Sequence, residues 1–254
     1  MPQQDLLPPL TSSDHLLADL QRQGFAVLDA SSVCALAGVS LHALQALEPS
    51  WNGLPPDQYL KDGGRYRRRR HASLKVRADG VETMPHRAHW QPVSYNALHG
   101  GMQRWFDPMQ AEVLAQPAWQ ALLQWLGSVA SQAQGGATWF TEAHQFRIDT
   151  TDGIGRPTPE GAHRDGVDWV AVFLIGRHGI KGGETRVFDI DSPRGQRFTL
   201  SEPWSLLLLN DHRVIHETTP IQPLSDAAAW RDTLVITLRA DGFLDDPQLQ
   251  TLAL

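Results

Sequence analysis

The sequence is poor in three features that would point to particular classes of protein: cysteine, long apolar runs and excess positive charge. Its one cysteine, Cys34, excludes an internal disulfide and a metal site built from paired cysteines, so a metal ion would need His, Asp or Glu ligands. No stretch approaches the roughly 18 apolar residues of a membrane span, and Met1 to Leu10 lacks the pattern of a secretion signal. The net charge of -6 does not suit a nucleic-acid-binding surface, which is broadly basic. We therefore expect a cytoplasmic protein that binds a small molecule and has neither nucleic acid nor membrane as a partner.

A chain of 254 residues with 41% hydrophobic residues can bury a substantial core. We predict one domain over residues 1–254, in which a helical flank over 1–60 precedes a β-rich core over about 65–245. Helical spacing of apolar residues predicts helices over Ser12–Gln23, over Ser32 or Ser40 to Leu47, and over Ala111–Ala130, the last with the strongest periodicity.

After Gly135-Gly136, short apolar or alternating runs are separated by Gly, Pro, Asp and Asn, which is the pattern of strands and turns. The predicted strands are Phe25–Leu28, Trp139–Ile148, Asp168–Ile175, Glu184–Asp189, Gln196–Leu200, Trp204–Leu209 and Thr233–Arg239. Many short strands at this spacing favour a sandwich or a barrel. The expected fold class is α+β, with flanking helices packed outside an antiparallel double-stranded β-helix, or jelly roll.

Basic residues concentrate in Arg65–Arg70, within a segment from Gly63 to Val76 that alternates toward its end like a half-buried strand. Such a run can bind phosphate groups. In an acidic protein it is more often a solvated strand face, and this is the interpretation we favour. One of these arginines could instead face a carboxylate ligand inside the barrel.

Two segments at predicted strand edges carry residues that can hold a metal ion. His163 and Asp165 stand just before an apolar run, and His216 follows the apolar run Leu206–Leu209. In a strand, residues i and i+2 point to the same face, so His163 and Asp165 can reach one ion together. Two imidazoles and one carboxylate on one octahedral face leave three positions open, which is the arrangement of non-haem iron(II) oxygenases.

Each of these residues alone would more often satisfy a turn hydrogen bond than bind a metal. Their order along the chain strengthens the metal interpretation, because the turn Gly182–Thr185 separates the two segments and Arg231 leads into the final apolar strand. His212 is a rival to His216 as the distal ligand. We favour His216 because Thr-Thr-Pro follows it, and we expect His212 to be an exposed loop residue or to support a ligand.

With these motifs the chain resembles bacterial iron(II)- and 2-oxoglutarate-dependent dioxygenases of the L-isoleucine 4-hydroxylase-like group, which hydroxylate free amino acids. The resemblance covers roughly the carboxy-terminal half of the chain. The matching segments are Gln145–Ile148, Pro157–Asp168, Gly182–Thr185, Asp211–His216 and Trp230–Asp232, of which Pro157–Asp168 is the most specific.

The resemblance implies that His163, Asp165 and His216 bind iron. It also implies that Arg231 pairs with the distal carboxylate of 2-oxoglutarate, with Thr233 as a supporting hydroxyl donor. A planar guanidinium suits this task because it can bind a carboxylate through two parallel hydrogen bonds. The cofactors would be Fe(II), 2-oxoglutarate and O2, with ascorbate as an optional reductant.

By the same resemblance, the substrate is a free aliphatic L-amino acid whose side chain is hydroxylated with release of succinate and CO2. Glu160 and Asp168 are candidates for orienting a ligand histidine or the substrate amine, and Arg147 is a candidate for meeting the substrate carboxylate. A solvated carboxylate or a structural ion pair is the commoner role for such residues. The sequence is compatible with a homodimer.

Other functions stay open at the level of sequence. The same site could act on a peptide or protein, and desaturation or sulfoxidation would use the same oxidising step. A jelly roll whose site is empty or holds zinc could act as a binding or sensor module without turnover. An interaction protein could use Arg65–Arg70 to grip an anionic surface, in which case binding would be salt-sensitive and independent of His163.

Overall fold

The computed structural model describes residues 6–96 and 98–245. Its α-helices are α1 (Leu16–Gln23), α2 (Ala30–Ala37), α3 (Leu41–Gln45), α4 (Ala111–Leu114) and α5 (Pro117–Gln134), and 3-10 helices cover Ser13–His15 and Glu48–Gly53. Its strands are β1 (Phe25–Leu28), β2 (Arg67–Arg77), β3 (Gly80–Thr83), β4 (Thr138–Asp149), β5 (Trp169–His178), β6 (Ile180–Gly182), β7 (Thr185–Asp189), β8 (Gly195–Phe198), β9 (Leu206–Asn210), β10 (Val214–Thr218), β11 (Ile221–Pro223) and β12 (Trp230–Arg239).

The strands form one large sheet and two small ones. The large sheet has the order β1-β9-β5-β12-β4-β2-β3, and the small sheets have the orders β10-β7-β8 and β11-β6. All of these strand pairs are antiparallel. The expected α+β class with a double-stranded β-helix core and flanking helices is confirmed.

Strand alternation gives the large sheet two different faces. On β12, Leu234 and Ile236 belong to the same core cluster as Trp119 and Leu122 of α5, so this face packs under the helices. The intervening β12 residues Arg231, Thr233, Val235 and Thr237 line a cavity on the opposite face. Because side chains on a strand alternate between the two faces, one strand supplies both the apolar core and the polar lining.

The predicted helices are present but broken. The helix expected over Ala111–Ala130 is two helices, since Pro117 lacks the N–H needed to continue α4 and instead starts α5 at its first turn. The helix expected to end at Leu47 is also two, α2 and α3. Gly38 ends α2 in the left-handed conformation (φ 67°), and the Ser40 hydroxyl accepts the N-capping hydrogen bond of α3. All of the predicted strands are found, Phe25–Leu28 with the predicted ends and the others with shifted ends, whereas β3, β6, β10 and β11 were not predicted.

The interpretation of the basic run as a solvated face is wrong for two of its members. Arg67 and Arg69 on β2 are 5% and 4% exposed and line the cavity. Arg68, between them, points to the other face and its side chain is 40% exposed. The strand period of two therefore divides the run into an outward and an inward set.

Among the described residues, no single helix is long and apolar enough to cross a membrane. Ala30–Ala37 and Leu41–Gly53 pass a length and composition test as a pair bent by 100°. Their apolar side chains Val33, Leu44 and Trp51 are buried in the core under the large sheet.

Candidate active site

The cavity opens between the inner face of the large sheet and the smaller strands that cover it. Its charged and imidazole lining consists of Arg67, Arg69, His89, Arg104, Glu142, His144, Glu160, His163, Asp165, His216 and Arg231. Its apolar lining consists of Phe146, Ile148, Val167, Val172, Val235 and Leu244. This concentration of ionisable groups against an apolar wall is typical of an active site.

His163 and His216 are held side by side by their backbones. The two residues exchange both N–H···O bonds, at 3.0 Å each, and form an isolated bridge between the loop before β5 and strand β10. The prediction that His163 and Asp165 lie in a strand is wrong, because only this bridge pairs the loop. The bridge still brings the segments together, since the imidazole centroids are 4.7 Å apart.

His163, Asp165 and His216 surround a space that fits a metal ion. The Oδ1 atom of Asp165 lies 3.9 Å from His163 Nε2, and its Oδ2 atom lies 3.7 Å from His216 Nε2. One ligand atom from each of the three residues lies within 4.8 Å of the other two. These separations exceed a hydrogen bond but suit an ion that makes bonds of about 2.0–2.2 Å to each atom.

The protonation of the two histidines supports ligation. The carbonyl oxygen of Gly161 lies 2.9 Å from His163 Nδ1, so a proton on Nδ1 leaves the Nε2 lone pair for a metal. Burial lowers the pKa of His216 well below its ordinary value, and the neighbouring His163 lowers it further, so His216 is neutral. Burial also lowers the pKa of His163, but the carboxylates of Asp165 and Glu160 outweigh it and raise that pKa. A metal ion would take the place of a proton on His163.

Asp211 holds the turn that presents Asp165. Its carboxylate accepts backbone hydrogen bonds from Asp165 (3.0 Å), Gly166 (2.8 Å) and Val167 (3.2 Å). Gly166 has a φ of 79°, and a Cβ there would lie 2.6 Å from the Tyr95 ring, so the turn requires glycine. Burial and the nearby Asp165 raise the pKa of Asp211 to about 6. Asp211 lies within a segment of the sequence resemblance, but nothing in the pattern indicated this role.

Arg231 and Thr233 lie on β12 and line the same cavity. Arg231 is 3% exposed, its Nε has no hydrogen-bond partner, and no described carboxylate lies within ion-pair distance of it. Burial and the neighbouring Arg177 lower the pKa of Arg231 to about 10, so it stays charged at neutral pH. A buried, unpaired guanidinium that faces a cavity is suited to an anionic ligand.

The residues predicted to contact substrate lie in different places. Glu160 lines the cavity, with Oε1 3.5 Å from His163 Nε2 and with a buried Oε2 that has no partner. Arg147 lines a separate surface pocket and pairs with Asp232 at 2.6 Å. The structure therefore places Arg147 in the structural ion pair that was its alternative role.

Asp168 is also engaged outside the cavity. One oxygen lies 2.9 Å from His212 Nε2, and the other accepts the backbone N–H of Ala240 at 2.8 Å. The side chain of His212 is 64% exposed. His212 is thus an exposed loop residue, as the sequence suggested, and its imidazole contacts the Asp168 carboxylate.

A second group of potential metal ligands consists of His71, His89, Glu142 and His144. Its members contact one another directly, since Glu142 lies 3.0 Å from His71 Nε2 and 3.1 Å from His89 Nδ1. Arg69 donates to His144 Nδ1 at 2.6 Å. Burial lowers the pKa of His89 to about 4 and that of His144 well below its ordinary value, and nearby guanidinium groups lower both further. The positive neighbours and the closed contacts favour a hydrogen-bond network over a cation site.

The sequence pattern did not predict four cavity-lining residues in the loop between β3 and α4. His89, Gln91, Asn96 and Arg104 are 7%, 6%, 6% and 2% exposed. The loop has neither helical nor strand periodicity, so no pattern marked its polar residues as buried. Their place in the cavity wall is evident only from the three-dimensional structure.

Comparisons with known proteins identify the family of the chain. The profile of the 2OG-Fe dioxygenase family matches residues 48–237. A crystal structure of a bsmA homolog from Methylobium petroleophilum PM1 is 51% identical, with 93% of this chain and 96% of that chain covered and a TM-score of 0.89. No curated protein matches this chain.

Two more distant structures share the fold. IDO from Bacillus thuringiensis is 17% identical, with 91% of this chain and 100% of that chain covered and a TM-score of 0.73. TqaL, described as an Fe(II)/(alpha)ketoglutarate-dependent dioxygenase, is 21% identical, with 89% of this chain and 86% of that chain covered and a TM-score of 0.68.

The protein is therefore a non-haem iron dioxygenase. Specifically, the chain belongs to the 2OG-Fe dioxygenase family, whose members use Fe(II), 2-oxoglutarate and O2.

Proposed function

We propose that this enzyme hydroxylates the side chain of a free aliphatic L-amino acid. The observation that carries the proposal is the meeting, in one cavity, of the group His163, Asp165 and His216 with the unpaired Arg231 and an aliphatic wall. The three-residue group would hold iron, and Arg231 would bind the distal carboxylate of 2-oxoglutarate with support from Thr233.

Iron and 2-oxoglutarate supply the oxidation: decarboxylation of 2-oxoglutarate consumes O2 and yields succinate and CO2, and the second oxygen atom enters a C–H bond of the substrate. The contribution of the protein is to hold the proposed iron ligands in position. Gly161 fixes the orientation of the His163 imidazole through the hydrogen bond to Nδ1, and Asp211 fixes the turn that carries Asp165. Both contacts hold the ligands in place before the substrate arrives.

The apolar wall of the cavity supports an aliphatic side chain as the oxidised group. Val167, Val172, Val235 and Leu244 line the cavity and present only aliphatic carbon. Such a wall excludes water from the reacting carbon and offers an aliphatic side chain favourable contacts. Glu160 has a buried oxygen without a partner and would accept the substrate ammonium group.

The proposal is tested by succinate formation with pools of free L-amino acids. We expect a pool of aliphatic amino acids to stimulate succinate formation by the Fe(II)-loaded enzyme, with a product heavier than its substrate by one oxygen atom in mass spectrometry. Pools of polar and aromatic amino acids are the matched controls. Stimulation by peptides and by no free amino acid would overturn the proposal in favour of a peptide hydroxylase.

The role of Asp211 gives a second test. We expect Asp211→Asn to lower the Fe(II) affinity about 10-fold to 100-fold, because an amide has one acceptor oxygen where the carboxylate uses two for the backbone of residues 165–167. Metal titration of the purified variant measures the effect, and Asp226→Asn, at an exposed bend between β11 and β12, is the control. Equal Fe(II) affinity in both variants would show that Asp211 does not position a ligand.

A further inference from the structure

We infer that Arg104, together with Arg67, forms a binding site for a carboxylate of the substrate, so that only molecules with a free carboxylate are accepted. The inference rests on the proposed function in one respect, namely that the substrate occupies the cavity beside His163, Asp165 and His216. It adds the group by which the enzyme recognises the substrate.

Arg104 carries a buried charge without an ionic partner. The residue is 2% exposed, and its side chain donates one hydrogen bond among the described residues, from Nη2 to the amide oxygen of Gln91 at 2.9 Å. Its Nε is buried without a partner, and within the described part of the chain no carboxylate oxygen lies within 4 Å of it. An isolated buried cation is costly, and pairing with an anionic ligand would offset that cost.

Arg67 adds a second unpartnered nitrogen to the same wall. Its Nε donates to Asp57 at 2.7 Å, but its Nη2 is buried without a partner. Asp57 is shared, since its Oδ2 also lies 3.9 Å from Arg69 Nη1. Arg69 is further held between the rings of Phe106 (3.7 Å) and Phe146 (4.3 Å). Each of the three arginines keeps one buried nitrogen without a partner, but Arg67 and Arg69 share Asp57 as an ionic partner, whereas Arg104 has none among the described residues.

The charges around Arg104 suit a ligand that carries a carboxylate beside a cationic group. Three buried guanidinium groups, those of Arg67, Arg69 and Arg104, lie near three carboxylates, those of Asp57, Glu142 and Glu160. Asp57 pairs with Arg67, and Glu142 lies against two histidines, whereas Glu160 keeps a buried oxygen without a partner. A carboxylate on Arg104 together with an ammonium group on Glu160 would leave the net charge of the cavity unchanged.

Gln91 connects this site to the proposed iron site. Its amide oxygen accepts from Arg104 and from Asn96 Nδ2 (3.2 Å), which fixes the orientation of the amide. Its Nε2 then points to Asp165, 3.4 Å from Oδ1. A carboxylate on Arg104 would therefore lie one amide group away from a proposed iron ligand and bring the substrate's carbon chain beside it.

The site on Arg104 is distinct from the one on Arg231. Arg104 lies in the loop between β3 and α4 and donates to Gln91, whereas Arg231 lies on β12 in the large sheet. The cavity thus offers two buried guanidinium groups in different surroundings. One would serve 2-oxoglutarate and the other the substrate, and Glu160, which lines the same cavity, would take an ammonium group of that substrate.

The test is isothermal titration of the Fe(II) enzyme, saturated with 2-oxoglutarate and kept without O2 so that no turnover occurs. The probes are L-isoleucine and L-isoleucinamide, which differ only in the carboxylate. We expect the amide to bind at least about 10-fold more weakly, because a charge-assisted hydrogen bond contributes about 1.5–3 kcal/mol and 1.4 kcal/mol corresponds to a factor of ten. Arg104→Gln should weaken L-isoleucine binding by about 10-fold to 100-fold and remove the preference over the amide, while 2-oxoglutarate affinity stays unchanged.

Arg68→Gln is the matched control, since Arg68 belongs to the same basic run but faces away from the cavity. Equal binding of acid and amide by the wild-type enzyme would overturn the inference, and this comparison does not depend on any variant folding. A loss of 2-oxoglutarate affinity in Arg104→Gln, with the preference for the acid retained, would also overturn it.

A second pair of probes, 4-methylpentanoate and 4-methylpentanamide, separates this inference from the proposed function. If no free amino acid binds but the simple acid binds in an Arg104-dependent way, the carboxylate site stands and the amino-acid substrate is wrong. If neither acid binds to the wild-type enzyme, the carboxylate site is wrong.

Discussion

Replacing His216 with alanine is expected to reduce Fe(II)-dependent succinate formation to the level of buffer without enzyme. The substitution removes one of three ligands, and the remaining pair, His163 and Asp165, offers too few protein atoms to retain Fe(II) in a facial site. The fold should persist, because the backbone bridge between residues 163 and 216 does not involve the imidazole. Metal titration, succinate formation and thermal unfolding of the variant measure these effects together.

His212→Ala is the matched control for this variant. His212 lies four residues earlier, and its side chain is largely exposed and contacts Asp168 outside the cavity. We expect it to retain Fe(II) binding and turnover. The assignment of the distal ligand would be wrong if His216→Ala kept Fe(II)-dependent turnover or if His212→Ala lost it.

Replacing Arg231 with glutamine is expected to raise the KM for 2-oxoglutarate by about 100-fold, with Fe(II) affinity unchanged. A guanidinium that makes two charge-assisted hydrogen bonds to a carboxylate contributes on the order of 3 kcal/mol, which corresponds to a factor of about 100. Arg231 is suited to this contact because its charge is buried and unpaired at the cavity wall. Initial rates at varied 2-oxoglutarate concentration measure the change.

Arg239→Gln provides the control for Arg231, since Arg239 lies at the far end of the same strand and donates to the backbone oxygen of Gly242. Its KM for 2-oxoglutarate should match that of the wild type. An unchanged 2-oxoglutarate requirement in Arg231→Gln would move the carboxylate contact to another residue.

The sequence predicted the site best where ionisable residues stand next to the apolar run of a strand. His163, Asp165, His216 and Arg231 each flank or begin an apolar run, and they meet in one cavity although His216 lies on β10 of a small sheet and Arg231 on β12 of the large sheet. The order of these residues along the chain predicted that they converge. The local conformation of His163 could not be predicted, because a single backbone bridge leaves no alternating pattern in the sequence.

The basic run shows why burial of charged residues is hard to predict. Arg67 and Arg68 are identical in type and adjacent, yet the first lines the cavity and the second faces outward. The difference depends on which face of β2 is covered, and that face is set by pairing with β4, about 75 residues later in the chain. The buried charge of Arg67 is paired with Asp57, which lies in a loop and belongs to no recognisable sequence motif.

The polar side of the cavity could not be predicted for a related reason. Gln91 and Arg104 lie in an irregular loop, where neither a period of two nor a period of 3.6 applies. Their burial results from tertiary contacts, in particular the chain of hydrogen bonds from Arg104 through Gln91 to Asp165. Thus the residues proposed to hold iron and 2-oxoglutarate were accessible from sequence, whereas those proposed to recognise the substrate carboxylate were not.

The proposed iron and 2-oxoglutarate sites are best tested by a crystal structure of the enzyme with Fe(II) and 2-oxoglutarate, prepared without O2 and measured at the iron absorption edge. We expect one anomalous peak between His163 Nε2, the Asp165 carboxylate and His216 Nε2, with the distal carboxylate of 2-oxoglutarate on Arg231. A peak among His71, His89, Glu142 and His144, or 2-oxoglutarate bound through Arg104, would contradict this expectation.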